Sequence, residues 1–173
     1  MSTDVEVGQV VGGHRQHEGV YTYLDPGPAP PATRQATAKV LRRMKRSGTR
    51  PELALRSALH RLGLRFVVDR APPGTDRRRR VDILLRGAQI ALFVDGCFWH
   101  SCPVHGQLPR ANRTWWRLKL RGVVLRDRDT DARLTAAGWL VVRVWEHENP
   151  AEAAERIRGL VAMRTTHAQI GGG

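Results

Sequence analysis

Residues 81–100 read VDILLRGAQIALFVDGCFWH, and this stretch decides the fold class of the chain. Residues 81–85 and 90–94 are short apolar runs with Gly87 between them, which predicts two strands joined by a turn. The second run is apolar on both faces and is therefore predicted to be a central strand. Residues 96–111, rich in Cys, His, Pro and Gly, are predicted to form a loop long enough to need stabilisation of its own.

The flanking sequence predicts further helices and strands around this pair. Thr49-Arg50-Pro51-Glu52 has the spacing of a capping box with an early proline, so a helix is expected from there to Gly63. The other predicted elements are a helix from Thr33 to Gly48, a strand at 65–69, a helix from Asn112 through Leu134 that Gly138 closes, a strand at 140–145, and a helix from Asn149-Pro150 to about Met163. This order predicts an α/β fold with a mixed sheet and helices on both sides.

Length and composition fit one globular domain with short appendages. The chain has 173 residues, of which 41% are hydrophobic and 26% charged. No run of eighteen apolar residues and no secretory signal occur, so we expect no membrane contact and a cytoplasmic location. The proline-rich stretch at 26–31 closes a predicted disordered N-terminal extension at 1–32, which is followed by one domain at 33–165 and a flexible tail at 166–173.

Positive charge is concentrated in one block of the chain. The net charge is +13, and residues 33–80 carry fifteen Lys and Arg against three Asp and Glu. A charge maintained for solubility would be spread out, whereas a block favours a face that binds a polyanion such as nucleic acid. The alternative is a solvated basic surface. The candidate phosphate contacts in this block are Arg42, Arg43, Lys45 and Arg46.

Cysteine and histidine in the 96–111 loop have the spacing of a metal-binding knuckle. Cys97, Cys102 and His105 are separated by four and two residues, and thiolate with imidazole is a donor set that zinc prefers. His147 is the best fourth candidate because it lies just past a core strand. The alternative is two buried free cysteines with surface histidines. A closed site with four protein ligands would be structural.

An acidic residue inside an apolar strand is the second candidate site. Asp82 lies between Val81 and Ile83, where an unpaired carboxylate is costly to bury, so it must bind a cation or pair with an arginine. Asp95 ends the next strand, and two such acids can share a divalent ion such as magnesium. His100 follows five residues later and either activates a water or is one more loop histidine without a role.

Aromatic and basic side chains surround the loop. Adjacent aromatics in a polar loop are poor core material and can enter a base stack as wedges. Trp139 and Trp145, by contrast, are expected in the core around the fourth strand. The candidate wedges are Phe98, Trp99, Trp115 and Trp116, and the candidate phosphate contacts beside them are Arg113, Arg117, Lys119 and Arg121.

These residues together resemble the very-short-patch repair (Vsr) DNA mismatch endonucleases. The resemblance covers roughly residues 36–162. Its motifs are Met44, Arg50, Glu52, Val81-Asp82, DGCFWH at 95–100, Trp116, Arg126-Asp127-Arg128 and GWLVVRVWE at 138–146. It implies a restriction-endonuclease-like fold with a structural zinc loop, and magnesium-dependent nicking of one strand at a T:G mismatch left by deamination of 5-methylcytosine. Mismatched double-stranded DNA is then the partner, and we expect a monomer associated with the nucleoid.

The resemblance also implies a role for each candidate residue. The carboxylate of Asp82 and the backbone carbonyl of Val94 bind magnesium, His100 is the general base, and Glu52 orients His100 or the attacking water. Phe98, Trp99 and Trp116 enter the duplex beside the mismatch. The zinc ligands are Cys97, Cys102, His105 and His147.

Several alternatives stay open at this point. Some members carry histidine at the position of Asp95, so this residue either joins the metal site or orients His100. Glu52 also has a purely structural explanation as the capping-box residue. The whole chain is a T:G nickase, a related nickase with a different mismatch or modified-base target, or a catalytically silent zinc-stabilised DNA-binding module. The presence of both Asp82 and His100 favours an enzyme.

Overall fold

The computed structural model describes residues 26–31 and 47–170. Its elements are α1 (Arg50–Arg61), β1 (Val67–Arg70), β2 (Val81–Leu85), β3 (Ile90–Asp95), α2 (Arg113–Ala136), β4 (Leu140–Trp145) and α3 (Pro150–Ile170). The helix predicted from Thr33 falls mainly on residues 32–46, which lie outside the described residues, as do most of the N-terminal extension and the last three residues. The predicted DNA contacts Arg42, Arg43, Lys45 and Arg46 lie there too.

The strands form one mixed sheet in the order β1-β2-β3-β4. β1 and β2 pair antiparallel, as do β2 and β3, whereas β3 and β4 are parallel. A parallel pair needs a long crossover connection, and the chain between β3 and β4 supplies it with α2. β3 lies between two partners, which confirms the central strand predicted from its apolar character.

Helices cover both faces of the sheet, as predicted. One face packs against α1 and α3 through a core that includes Leu59, Leu92 and Ile157, all fully buried. The opposite face packs against the end of α2, where Leu134 and Trp139 meet Leu84 and other sheet residues. Strands β2 and β3 are therefore buried on both sides, which explains their continuous apolar runs.

The start of α1 is the predicted capping box. Thr49 is the N-cap, its hydroxyl accepts from the backbone N–H of Glu52 at 3.5 Å, and Gly48 N donates to Glu52 Oε2 at 2.8 Å. The helix ends at its C-cap Leu62, and the following Gly63 takes a positive φ of 74°. The sequence signals at both ends of this helix are confirmed.

Three details differ from the prediction. β1 is Val67–Arg70 rather than 65–69. Asn112 precedes α2 as expected, but it has a left-handed backbone (φ 53°) and its side chain makes no capping bond. α3 continues to Ile170 instead of ending near Met163, so residues 166–170 of the predicted tail are helical. No glycine or proline occurs between Met163 and Gly171, so nothing in this stretch breaks the helix.

Within the described ranges, the structure contains no helix with the length and apolar character needed to cross a membrane.

Candidate active site and metal centre

Four ligand-type side chains meet beyond the ends of β3 and β4: Cys97, Cys102, His105 and His147. Their ligand atoms all lie within 4.8 Å of one another. His147 Nδ1 lies 3.0 Å from Cys97 Sγ and 3.8 Å from Cys102 Sγ, and His105 Nδ1 lies 3.9 and 4.0 Å from the same two sulfurs. A tetrahedral zinc with ordinary bond lengths separates a sulfur from a nitrogen ligand by about 3.6 Å. The four residues predicted from spacing thus form one cluster able to hold a metal ion.

Backbone hydrogen bonds hold the two cysteines in successive turns. Cys102 N donates to Cys97 O at 2.9 Å, and Gly106 N donates to Cys102 O at 2.7 Å. Glu146 Oε1 accepts from Cys97 N at 2.6 Å and ties the loop to the end of β4, directly before His147. This contact brings together two ligands that are 50 residues apart in the chain.

The chemistry of the two thiols favours a cation between them. Burial, followed by the neighbouring Cys102 and Glu146, raises the pKa of Cys97 to about 11. Burial also acts to raise the pKa of Cys102, but the backbone N–H groups of residues 104–106 bring that pKa below the ordinary value of a thiol. A divalent ion deprotonates coordinating thiols and offsets their charge, so the donor set fits a bound metal.

Gly106 is required at its position because a side chain has no room there. An added Cβ would lie 2.5 Å from Cys102 O and 2.9 Å from Cys102 N. Gly106→Ala is expected to displace the Cys102 turn, lower stability by about 1–3 kcal/mol and weaken metal retention. Thermal unfolding and metal analysis measure both effects.

Gly159→Ala is the matched control, because an added Cβ at this α3 position has no atom within 4 Å. Alanine there should stabilise the helix by up to about 1 kcal/mol. A Gly106→Ala protein with native stability and full metal content would show that the close approach does not constrain the loop.

Asp82 lies at the start of β2 and reaches across to β3. Its Oδ2 accepts from the backbone N–H of Val94 at 2.7 Å, so the two residues predicted to bind magnesium are neighbours. Burial, together with the charges of Glu52 and Asp95, raises the pKa of Asp82 to about 6 against the opposing effect of the Val94 N–H. The neighbouring Arg56 directs its guanidinium to Glu52 at 2.9 Å and, weakly, to the Asp82 backbone carbonyl at 3.4 Å. The Asp82 carboxylate therefore keeps an oxygen for a cation.

His100 is fixed through one of its two ring nitrogens. Its Nδ1 lies 2.7 Å from Asp127 Oδ2, a residue of α2, and 3.6 Å from Asp95 Oδ1. Burial lowers the pKa of His100, but the Asp127 hydrogen bond and the charges of Asp95 and Asp127 raise it more, so the net pKa lies above the ordinary value. The side chain is 26% exposed, and Nε2 is the nitrogen left to meet a substrate.

Asp95 has a different set of contacts from Asp82. It is buried, at 3% exposure, and both of its oxygens accept from Arg143 Nη1 at 2.9 and 2.8 Å. Its Oδ1 also lies 3.6 Å from His100 Nδ1. Its charge still reaches Asp82, whose pKa it helps to raise.

Glu52 makes the contacts of the capping box that the sequence also allowed. Its two carboxylate oxygens accept from Gly48 N, the Thr49 hydroxyl and Arg56 at the start of its own helix. The role of Glu52 in orienting His100 or a water stays a prediction. The hydrogen bond to His100 Nδ1 comes from Asp127.

Asp127 and Arg143 are the two residues of this site that sequence reasoning missed. Asp127 was noted only as part of the run 126–128, and it lies 27 residues from His100 on a different element. Arg143 was noted only within the fourth strand, where its guanidinium binds Asp95 from β3. A charged residue in an apolar strand was a usable signal for Arg143, as it was for Asp82.

The predicted wedge residues form one cluster. Ring centroids of Phe98 lie 5.1 Å from Trp99 and 5.2 Å from Trp116, and Trp115 lies 4.9 Å from Trp116. All four are partly buried and partly exposed. On α2 beside them, Arg113 is exposed and Lys119 is half-buried. Trp139 is in the core as predicted, whereas Trp145 is half-buried and stacks on His147.

The 77–80 arginine run is used partly within the protein. Arg79 pairs with Asp129 of α2 at 2.5 Å, and Arg80 pairs with Asp69 at 2.6 Å. These two side chains support the loop before β2, and Arg77, Arg78 and Arg80 are the exposed members of the run.

Comparison with known proteins gives one family and several relatives. Residues 30–105 match the family model of the DNA mismatch endonuclease Vsr. The type II nicking enzyme V.NaeI of Lentzea aerocolonigenes is 47% identical over 114 residues, which are 65% of this chain and 69% of that protein. V.XorIIP of Xanthomonas oryzae pv. oryzae is 39% identical over 63% of this chain and 78% of its own. The DNA mismatch endonuclease Vsr of Escherichia coli is 34% identical over 63% of this chain and 68% of its own.

Proposed function

Because the chain belongs to the family of Vsr DNA mismatch endonucleases and is thus a DNA endonuclease, we propose that it nicks one strand of duplex DNA at T:G mismatches. These mismatches arise when 5-methylcytosine is deaminated. The observation that carries the proposal is that Asp82 and His100 flank the same end of β3, next to the aromatic cluster. A cation ligand, a base and a DNA wedge are thereby within reach of one phosphodiester.

The cation of the reaction is magnesium, held by the Asp82 carboxylate and the Val94 carbonyl. Oxygen ligands suit this ion, and a cation would offset the burial and the neighbouring charges of Glu52 and Asp95 that raise the pKa of Asp82. Among the described residues, Asp82 does not belong to a group of three or more ligand side chains that converge within 4.8 Å, so Asp82 and Val94 would hold the ion with few protein ligands. When bound, magnesium polarises the phosphodiester and offsets charge on the leaving oxygen.

His100 is the general base that takes a proton from the attacking water. Asp127 accepts from Nδ1 at 2.7 Å, which selects the tautomer with a free lone pair on Nε2. The same carboxylate stabilises the positive ring that forms when Nε2 takes the proton. Asp82 and Val94 would hold the cation that binds the phosphate, and His100, beside Asp95 at the end of β3, would take the proton of the attacking water.

The Cys/His cluster holds a structural zinc. Its four protein ligands leave no open position for substrate, so the ion has no part in hydrolysis. His100 lies between the ligands Cys97 and Cys102, and Phe98 and Trp99 lie in the same interval. The zinc thus fixes the base and two wedges on one rigid loop.

Mismatch selectivity comes from the free energy needed to unstack the DNA duplex at the site. A T:G wobble pair stacks less well than a matched pair, so inserting Phe98, Trp99 and Trp116 beside it costs less. Basic side chains outside this cluster bind phosphates whatever the sequence. If the mismatch is recognised by the deformability of the duplex, the aromatic residues determine the preference for T:G and the basic residues determine the overall affinity for DNA.

Trp99→Ala is expected to lower the preference for T:G over C:G duplex by about tenfold, as loss of one stacked contact of about 1–3 kcal/mol implies. Replacing Arg42 and Arg43 together is the matched control. It should weaken binding to both duplexes alike and flatten the salt dependence. Competition binding at several salt concentrations measures both effects. The opposite result would be a Trp99→Ala protein that keeps its full preference for T:G over C:G and an arginine variant that loses it. That result would show that the basic block recognises the mismatch.

The proposed target is tested by incubating strand-labelled duplexes with the protein. The duplexes contain T:G, C:G, each other single mismatch or hydroxymethylated cytosine. The expected result is a nick in one strand of the T:G duplex alone. Efficient nicking of a different mismatch or a modified base in preference to T:G would identify a related enzyme with another target. Binding without cleavage of any duplex would identify a DNA-binding module.

A further inference from the structure

Arg143 connects three carboxylates around His100. On one side its Nη1 donates to both oxygens of Asp95, at 2.9 and 2.8 Å. On the other side its Nε and Nη2 donate to the two oxygens of Asp131 in α2, at 3.0 and 2.8 Å. Nη2 also lies 3.7 Å from Asp127 Oδ1. One guanidinium therefore joins β3, β4 and α2 at the place where His100 is held.

The position of Arg143 is set by the sheet and by packing. Residue 143 pairs with Phe93 in the parallel β3–β4 register, and its guanidinium carbon lies 4.7 Å from the centre of the Phe93 ring. Its side chain is 22% exposed. A planar, bidentate group stacked in this way has one favourable orientation, which lysine could not reproduce.

His100 Nδ1 faces two carboxylates, and a donor shared between them would have two orientations. Asp127 Oδ2 is 2.7 Å away and Asp95 Oδ1 is 3.6 Å away. Arg143 occupies both oxygens of Asp95, so this carboxylate is already satisfied and is held back from the ring. Without that contact, a buried carboxylate would be left to turn toward His100 as the nearest remaining donor.

We propose that Arg143 is a positioning residue for the nicking reaction: it restrains Asp95 so that His100 Nδ1 pairs with Asp127 alone and Nε2 keeps one orientation toward the substrate. This inference rests on the proposed nicking function. It gives separate roles to the two carboxylates that face the same imidazole nitrogen, at 2.7 and 3.6 Å. Asp127 orients His100. Asp95 and Asp131 hold Arg143, which keeps Asp95 from competing for the His100–Asp127 hydrogen bond.

The test measures single-turnover nicking and duplex affinity separately. Arg143→Met should nick a T:G duplex roughly 10- to 100-fold more slowly, since a small misplacement of a catalytic group costs up to about 10² in rate. Affinity for the duplex should stay within about twofold of native, because Arg143 makes no proposed DNA contact. Arg143→Lys, which keeps the charge but cannot bind Asp95 and Asp131 together, should fall between Arg143→Met and the native chain.

A second substitution distinguishes restraint of Asp95 from general support of the fold. Adding Asp95→Asn to Arg143→Met removes the freed carboxylate, so the double variant should nick several-fold faster than Arg143→Met alone. Arg164→Met is the control: it removes an arginine that ties α3 to Ala88 O and Gly138 O, far from His100. It should lower the melting temperature without changing the nicking rate of the folded protein.

Two results would overturn the inference. One is native nicking by Arg143→Met. The other is a slow Arg143→Met that Asp95→Asn does not accelerate, which would make Arg143 a structural link. Both presuppose that the native chain nicks T:G duplex; a native chain that nicks no duplex would instead contradict the proposed function itself.

Discussion

His100→Ala is expected to nick T:G duplex roughly 10²–10⁴ times more slowly than the native chain, because loss of a general base has about this cost. Its affinity for the duplex should stay near native, since the wedges and basic residues are untouched. Asp82→Asn should lose activity by orders of magnitude as well, because the neutral amide keeps the shape of the side chain but gives up the anionic oxygen proposed to bind magnesium. Single-turnover nicking and equilibrium binding on the same duplex measure these effects.

Two variants outside the site serve as matched controls for this prediction. His60→Ala removes a histidine of α1 that packs on Phe66, with ring centroids 4.4 Å apart. Glu155→Gln neutralises a half-exposed carboxylate of α3 that pairs with Arg158. Both should nick at the native rate. If His100→Ala or Asp82→Asn also nicked at the native rate, the assignment of the catalytic residues would be wrong.

Loss of zinc is expected to unfold the loop and lower the yield of soluble protein. Purified chain should contain about one zinc, and Cys97→Ser should lose the metal and the native fold together. Structural zinc contributes roughly 10–16 kcal/mol in zinc-finger peptides, which is comparable to the whole stability of an ordinary domain. Metal analysis, circular dichroism and thermal unfolding measure the outcome, and a strong chelator should reproduce it in the native chain.

Val104→Ser is the matched control for the zinc prediction. Val104 belongs to the same loop, lies between two ligands in sequence and is 71% exposed. Its replacement should leave zinc content and unfolding temperature unchanged. A metal-free Cys97→Ser protein that folds and melts like the native chain would show that the Cys/His cluster is not a structural site.

The sheet and its connections were predictable because the responsible signals are local. Apolar runs bounded by turn residues gave β2 and β3, and the Thr49–Glu52 spacing gave the start of α1. The early part of α2 was placed correctly, but the left-handed backbone of Asn112 was not foreseen, because the helix begins without the side-chain cap that its identity suggests. The length of α3 was underestimated because no helix-breaking residue marks its end before Gly171.

The site was predictable where its residues share a motif. Cys97, Cys102 and His105 lie within nine residues, and His147 follows the strand that pairs with β3 in parallel, so the spacing and the topology together gave the cluster. The contacts of His100 were not predictable in this way. They depend on how α2 lies across the sheet, which decides whether an acid 27 residues away reaches the imidazole.

Glu52 shows why a residue type alone does not assign a role. The family resemblance was compatible with Glu52 orienting His100, and its position three residues after Thr49 was equally compatible with a helix cap. The tertiary structure satisfies its two oxygens at the start of α1, while its charge acts on Asp82 only from a distance. Local hydrogen bonding prevailed because a buried carboxylate with three donors around it has little reason to turn elsewhere.

The central claim is that this chain cuts one strand of DNA at a T:G mismatch through Asp82, His100 and magnesium. The most direct measurement is single-turnover nicking of a T:G duplex with each strand separately labelled, by the native chain and His100→Ala, with magnesium and with magnesium omitted. The matched C:G duplex is run beside it as the control. We predict one nick, in one strand, by the native chain with magnesium, and little or none in the other three T:G reactions. Equal cleavage of T:G and C:G duplexes, or nicking by the native chain that is unchanged when magnesium is omitted, would contradict the account.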